Sequence, residues 1–267
     1  MSPATMTLAL RRRQVAALAR NTFLEAARDK VLYLFLGFGL FVFAASRLLA
    51  PLALGEDRRI TLDVGFAALS AFGCLTAIFV GHQLIFRETE RKTLYFLFSR
   101  PLGRGEFVWG KYLGLLLTLI CAVALMGMLF WIVLVASHYD VGLAFLEAML
   151  LAACEMAVLA AIAVWLAAVA SPVLAGLLTL AAWLVGHGAG DMQSWMGATV
   201  PVTARALVRV FTWFTPRLDL YGDIGPVVHG GLYPTAQILW GVLYAGCYVC
   251  AALLAASALL ARHENPL

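Results

Sequence analysis

Residues 108–136 read VWGKYLGLLLTLICAVALMGMLFWIVLVA. From Tyr112 to Ala136 the run holds no charge and no proline. As a helix it reaches about 37 Å at 1.5 Å per residue, more than the ~30 Å of a bilayer's hydrocarbon core. Its apolar residues lie on every face, so no single buried stripe accounts for it. This stretch is a transmembrane helix, and five further segments of the chain read the same way.

Working outward, the spans are about 31–49, 64–86, 108–136, 142–170, 173–189 and 235–261. The first starts too late and runs too long to be the apolar core of a cleavable signal peptide. Residues 137–141 make a tight turn, and Ser171-Pro172 a tighter one, so spans three, four and five are antiparallel neighbours. Residues 190–234 form the longest connection. Within it, 202–214 reads either as a helix in the membrane interface or as a packed loop, with Trp195, Trp213 and Tyr221 as interfacial aromatics. The fold class is an all-α integral membrane protein.

Composition agrees with this reading. Of the 267 residues 63% are hydrophobic and 13% charged, where a soluble domain has roughly half and a quarter. The net charge of +4 is too small for a nucleic-acid binder, and the bases are sorted by topology instead. Arg11, Arg12, Arg13, Arg20, Arg28, Lys30, Arg87, Arg91, Lys92, Arg100, Arg104, Lys111 and Arg262 fall on one side of a six-span topology. Arg47, Arg58, Arg59, Arg205, Arg209 and Arg217 fall on the other. The richer side is cytoplasmic, which puts both termini there. Cys74, Cys121, Cys154, Cys247 and Cys250 lie in apolar segments and act as small hydrophobes. Cys247 and Cys250 have redox-motif spacing but no soluble strand–helix context.

Residues 10–30 read as an amphipathic helix on the inner leaflet, with Val15, Leu18, Thr22 and Ala26 recurring at helical spacing. The connection 87–107 is the most informative segment. It is cytoplasmic, yet Leu94, Tyr95, Phe96, Leu97 and Phe98 form an apolar middle bracketed by charges. Pro101 disfavours helix at Arg100, which limits residues 90–99 to a helix of about 15 Å. A short apolar helix facing water calls for a partner groove or for the membrane interface.

Here the chain resembles the permease subunits of ABC-2 type ATP-binding-cassette exporters. Glu88, Glu90, Thr93, Leu94, Leu97, Pro101, Arg104, Glu106, Gly110 and Lys111 carry the likeness, as E-x-E-x-x-T-L-x-x-L-x-x-x-P-x-x-R-x-E-x-x-x-G-K. The basic leading helix, six spans and the loop between spans two and three extend it over residues 1–267, one transmembrane domain. Arg91-Lys92 departs from the commoner pattern of small residues and implies a stiffer loop or a different partner. Within the family Pro101-Leu-Gly-Arg-Gly-Glu106 is similar to the permease linked to maturation of nitrous-oxide reductase, a match too short to assign a branch or a cargo.

The resemblance implies a permease that dimerises with a second copy or a related chain, and pairs with two copies of a separate ATPase in a bacterial inner membrane. It implies no catalysis and no cofactor on this chain, with ATP and Mg on the ATPase. In that family the loop is a coupling helix seated in the ATPase. Leu94, Leu97 and Phe98 would form its apolar plug, Glu88 and Glu90 would orient it and offer charge pairs, and Thr93, Pro101 and Arg104 complete the motif. Gly110 would permit close packing at the start of span three, and Lys111 would reach the headgroups.

Other motifs compete with this reading. Residues 105–111 fit G-x-x-x-x-G-K, but Tyr112 replaces the Mg-binding hydroxyl and no strand precedes it, so nucleotide binding is excluded. His82 and Glu155 are polar residues inside spans and are candidate transport-path groups. For His82 a bond to a backbone carbonyl or headgroup is the simpler reading, while for Glu155 cargo contact or gating and packing stand level. His187, Asp191, His138 and Asp140 offer metal-type ligands near one end of the spans, and are read as loop polar groups rather than as a metal site. An ATP-independent carrier or an intramembrane enzyme is the alternative function. Neither a convincing internal repeat nor a hydrolase constellation supports it.

Overall fold

The computed structural model describes residues 3–49, 57–90, 104–139, 142–195 and 215–262. These residues form helices and connecting turns, with no strand among them. Helix α1 spans Pro3–Ala27, α2 Lys30–Leu49, α3 Asp57–Glu90, α4 Arg104–Ala136, α5 Leu143–Ala167 and α6 Pro172–Trp195. A 3-10 turn at Leu218–Leu220, a short α7 at Gly225–His229 and α8 at Thr235–Arg262 follow. Four described segments are long and apolar enough to cross a membrane: Asp57–Gly81, Gly105–Ala136, Leu143–Ala167 and Thr235–Leu259. The stretch Pro172–Gly188 is a shorter apolar helix.

Several boundaries differ from the sequence expectation. Helix α3 begins at Asp57 rather than near Val64. The acidic Asp57 suits the positive end of a helix, and Arg58 is taken up by a hydrogen bond from Nη2 to the Val227 carbonyl at 3.0 Å. At its other end α3 continues through Glu90, and α4 begins at Arg104, so the connection read as 87–107 is narrower. Residues 91–103, which include the expected short helix, lie outside the described residues, as do 196–214 and with them the expected interfacial helix.

Helix α5 lies at the centre. It is apolar on all sides and buried on most, as such a helix must be. Helices α4 and α8 instead turn Leu117, Ile120, Trp131, Leu239, Trp240 and Leu254 outward, the surface a bilayer would cover. An aromatic cluster ties four helices together. Phe130 of α4 stacks on Phe43 of α2 at 4.9 Å, meets Phe66 of α3 edge-on at 5.6 Å, and lies 5.9 Å from Phe145 of α5. Gly65 makes room for it, since a Cβ there would lie 2.1 Å from Phe130 Cζ.

The α4–α5 hairpin closes on His138, whose φ of 58° is left-handed, with His138 N–H bonded to the Val135 carbonyl at 2.9 Å. Helix α1 packs along the first turns of α4. Leu18 fills the space over Gly110, while Thr22 and the Ala19 carbonyl press on Gly114. The stripe read as resting on the inner leaflet therefore covers α4, and Thr22 and Ala26 are buried there. After α6 the segment 215–234 folds back over the bundle. Tyr221 donates to the Gly241 carbonyl at 2.9 Å, Tyr233 N–H to Glu147 Oε2 at 2.9 Å, and Tyr233 hydroxyl to the Asp223 carbonyl.

Candidate functional site

Glu155 sits on α5, twelve residues from either end, hence about 18 Å along a helix that must hide its backbone from lipid. Its side chain is 3% exposed. A carboxyl at that depth needs polar partners, and two neighbouring helices supply them. Ser70 of α3 donates its hydroxyl to Glu155 Oε1 at 2.5 Å, within the range for hydroxyl-to-carboxylate bonds. The Ser70 oxygen in turn accepts the indole N–H of Trp183 on α6 at 2.9 Å.

One turn further along α6, His187 turns Nε2 toward the same oxygen of Glu155 at 3.4 Å and lies 3.5 Å from Ser70 Oγ. Its other nitrogen, Nδ1, is 3.2 Å from the Trp183 carbonyl. A carbonyl only accepts, so Nδ1 carries a hydrogen and Nε2 is left to face the carboxyl. The imidazole side chain is 28% exposed, against 3% for the carboxyl.

Small residues allow the three helices to approach. A Cβ on Gly73, one turn beyond Ser70, would meet Met156 Sδ at 1.9 Å, so glycine lets α3 lie against α5 beside Glu155. A Cβ on Gly186 would meet the Pro216 carbonyl at 2.7 Å, and glycine there admits the 215–222 segment over α6. In that segment Gly222 is the nearest glycine to the His187 ring.

The structure thus joins Glu155 and His187, which the sequence places 32 residues apart and in separate motifs. The pairing of His187 with Asp191 is not part of this cluster as described, since the Asp191 side chain and Asp140 lie outside the described residues. His138 stands exposed in the α4–α5 turn. Among the described residues no three metal-type side chains come together. Sequence reasoning missed Ser70 and Trp183. The available signal was polarity: Ser70, Glu155 and His187 are polar residues within apolar runs, where such groups need partners.

For the coupling residues the picture is partial. Thr93, Leu94, Leu97, Phe98 and Pro101 lie outside the described residues. Glu88 and Glu90 occupy the last turns of α3 and Arg104 opens α4, while His82 lies two turns before the α3 end. A Cβ on Gly110 would lie 2.7 Å from Leu18 Cδ2 of α1. Lys111 does not reach outward as expected from its position. It is 1% exposed, with Nζ 5.9 Å from the Phe107 ring centroid. Next to it Tyr112 bonds across to the Ala157 carbonyl at 3.3 Å and fixes α4 against α5.

The structure therefore holds a leading helix docked on α4, charged residues on both flanks of the α3–α4 connection, and a bundle of apolar helices. The family model for ABC-2 family transporter proteins matches residues 7–204, from α1 through the whole polar cluster. The chain belongs to the ABC-2 transporter family. No curated protein sequence matches it. The ABC-2 protein is accordingly a multi-pass membrane protein and a transport permease, of a family whose members work with an ABC ATPase. Its match covers the family as a whole and distinguishes no branch within it.

Proposed function

We propose that this ABC-2 protein is the non-catalytic permease subunit of an ATP-binding-cassette exporter, with α2, α3, α4, α5, α6 and α8 as six spans. Both termini and the α3–α4 connection face the cytoplasm of a bacterial cell whose inner membrane holds the protein. Two permease copies pair with two copies of a separate ATPase, which binds ATP and Mg. The observation that supports this most is the extent of the family match, which includes α1, both flanks of the connection and the residues between them.

The physical logic is lever-like. Closing of the ATPase dimer around ATP moves the connection, where Leu94, Leu97 and Phe98 form the apolar contact and Glu88 and Glu90 supply charge pairs. Thr93, Pro101 and Arg104 shape the turn back into α4. Movement at this point reaches two rigid helices at once, because α1 is keyed to the first turns of α4 by Gly110 and Gly114. Glu155, and His82 nearer the connection, line the path through the spans.

The test is co-purification of the tagged chain from mild detergent, with mass spectrometry and ATPase assay of the eluate. A P-loop ATPase recovered in near-equal amount, and lost with Leu97→Asp at unchanged membrane insertion, supports the reading. Recovery of the ATPase unchanged by Leu97→Asp removes the coupling role. Recovery of the chain alone in several detergents points back to an ATP-independent carrier or an enzyme.

A further inference from the structure

We propose that Ser70, Glu155, Trp183 and His187 form one proton-binding site inside the helix bundle, in which a single exchangeable proton is shared between Glu155 Oε1 and His187 Nε2.

The hydrogen count follows from the partners. His187 Nδ1–H is committed to the Trp183 carbonyl, and the Trp183 indole N–H to Ser70. The Ser70 hydroxyl hydrogen is committed to Glu155. One further proton completes the set, and it has two places. It rests on Nε2, giving imidazolium beside carboxylate, or on the carboxyl, giving two neutral groups. Both arrangements leave the four side chains without net charge. Adding a proton makes the cluster +1 and removing it makes it −1, so each exchange with solvent changes the net charge buried among the three helices. Other titratable groups close enough to act on the carboxyl are Cys74 of α3 and Tyr221 of the 215–234 segment, both neutral when protonated. No further charge of the described residues is thus available to fix the proton count in place of His187.

The geometry also gives the proton a route. Ser70 Oγ lies 2.5 Å from Glu155 and 3.5 Å from His187, so its hydroxyl relays between the two. His187 is the partly exposed member, beneath the segment carrying Gly222. Proton exchange therefore passes through His187 and changes bonds that hold α3, α5 and α6 together. This last consequence rests on the permease reading: a bundle whose helices separate during transport must break or reload this site in each cycle.

The probe is the proton itself. Infrared difference spectra of the detergent-purified full chain are taken while pH is lowered from about 9 to about 5, the interval in which imidazole and buried carboxyl groups exchange protons. A protonated-carboxyl band is expected that is absent in Glu155→Gln and displaced in frequency in Ser70→Ala. Its midpoint is expected to move by at least about one pH unit, tenfold in proton affinity, in His187→Gln. In wild-type protein the ¹⁵N resonance of His187 Nε2 should change in step with the carboxyl band, which keeps the test alive should a variant fail to fold. A band that ignores pH, or one with the same midpoint in His187→Gln, overturns the site. Failure of the ATPase co-purification with the band intact refutes the permease reading and leaves the proton site standing. The converse outcome refutes the proton site alone.

Discussion

Gly114→Ala tests whether α1 is a fixed part of the bundle. The added Cβ would lie 2.4 Å from Thr22 Cβ, 2.6 Å from Thr22 Cγ2 and 2.7 Å from the Ala19 carbonyl oxygen. Ordinary contact begins at 3.4 Å, so α1 has to retreat by about 1 Å along a rigid helix edge, and no rotamer change relieves the carbonyl. Overpacking of this kind is worth about 1–3 kcal/mol against the native contact. Replacing glycine by alanine in a helix returns about 1 kcal/mol by itself, which would blur a single measurement. Gly246→Ala on α8 removes that ambiguity, because nothing lies within 4 Å of its added Cβ and the intrinsic gain is the same. The gap between the two variants is thus the packing effect alone, about 1–3 kcal/mol, with Gly114→Ala the less stable. Thermal unfolding in detergent measures that gap. Trypsin cleavage at Arg20 and Arg28 should also quicken in Gly114→Ala and not in Gly246→Ala, since Thr22 and Ala26 between those sites are buried in the native contact. Equal melting temperatures together with equal cleavage rates would refute the docking of α1 on α4.

Three further outcomes are expected. Burial raises the Tyr233 phenol above its ordinary value of 10.0, so the folded chain holds this proton when the unfolded chain has lost it. Its contribution is complete below about pH 10 and fades as pH climbs toward the folded-state value; alkaline exposure of the 215–234 segment to protease should shrink in Tyr233→Phe, and an unchanged alkaline profile would contradict the assignment. Cysteines placed at Glu90 and Arg217 should react with a membrane-impermeant reagent from opposite faces of sealed vesicles, and same-face labelling would overturn the six-span arrangement. Glu155→Leu and His187→Phe should each destabilise the bundle, and the double variant should be destabilised less than the sum of the two by at least about 1 kcal/mol of coupling; additive effects on unfolding would separate the two residues.

Much of the fold is legible in the chain because the bilayer leaves few choices. Apolar runs such as 108–136 have to be helices, since lipid offers no partner for an open backbone, and Ser171-Pro172 has to be a turn because proline begins α6 and leaves almost no linker. Helix ends were less legible. Charged residues such as Arg58, Glu88 and Arg104 mark where lipid stops and not where helix stops, so α3 and α4 run on past the apolar segments. For α1 the spacing of Leu18, Thr22 and Ala26 announced a face to be covered, read as resting on the inner leaflet, and that face packs on α4. Lys111 shows the limit from the other side: its position at the end of a span suggested headgroups, and it is buried instead.

Sequence by itself determined the membrane-spanning helical class and the family, because hydropathy and a motif in one continuous stretch are local properties. Tertiary structure alone decided that Glu155 meets Ser70 and His187, that Trp183 completes the set, and that α1 rests on α4. Those contacts join residues tens of positions apart, and which face of one helix meets which face of another depends on where Gly73, Gly110, Gly114 and Gly186 let the helices come close.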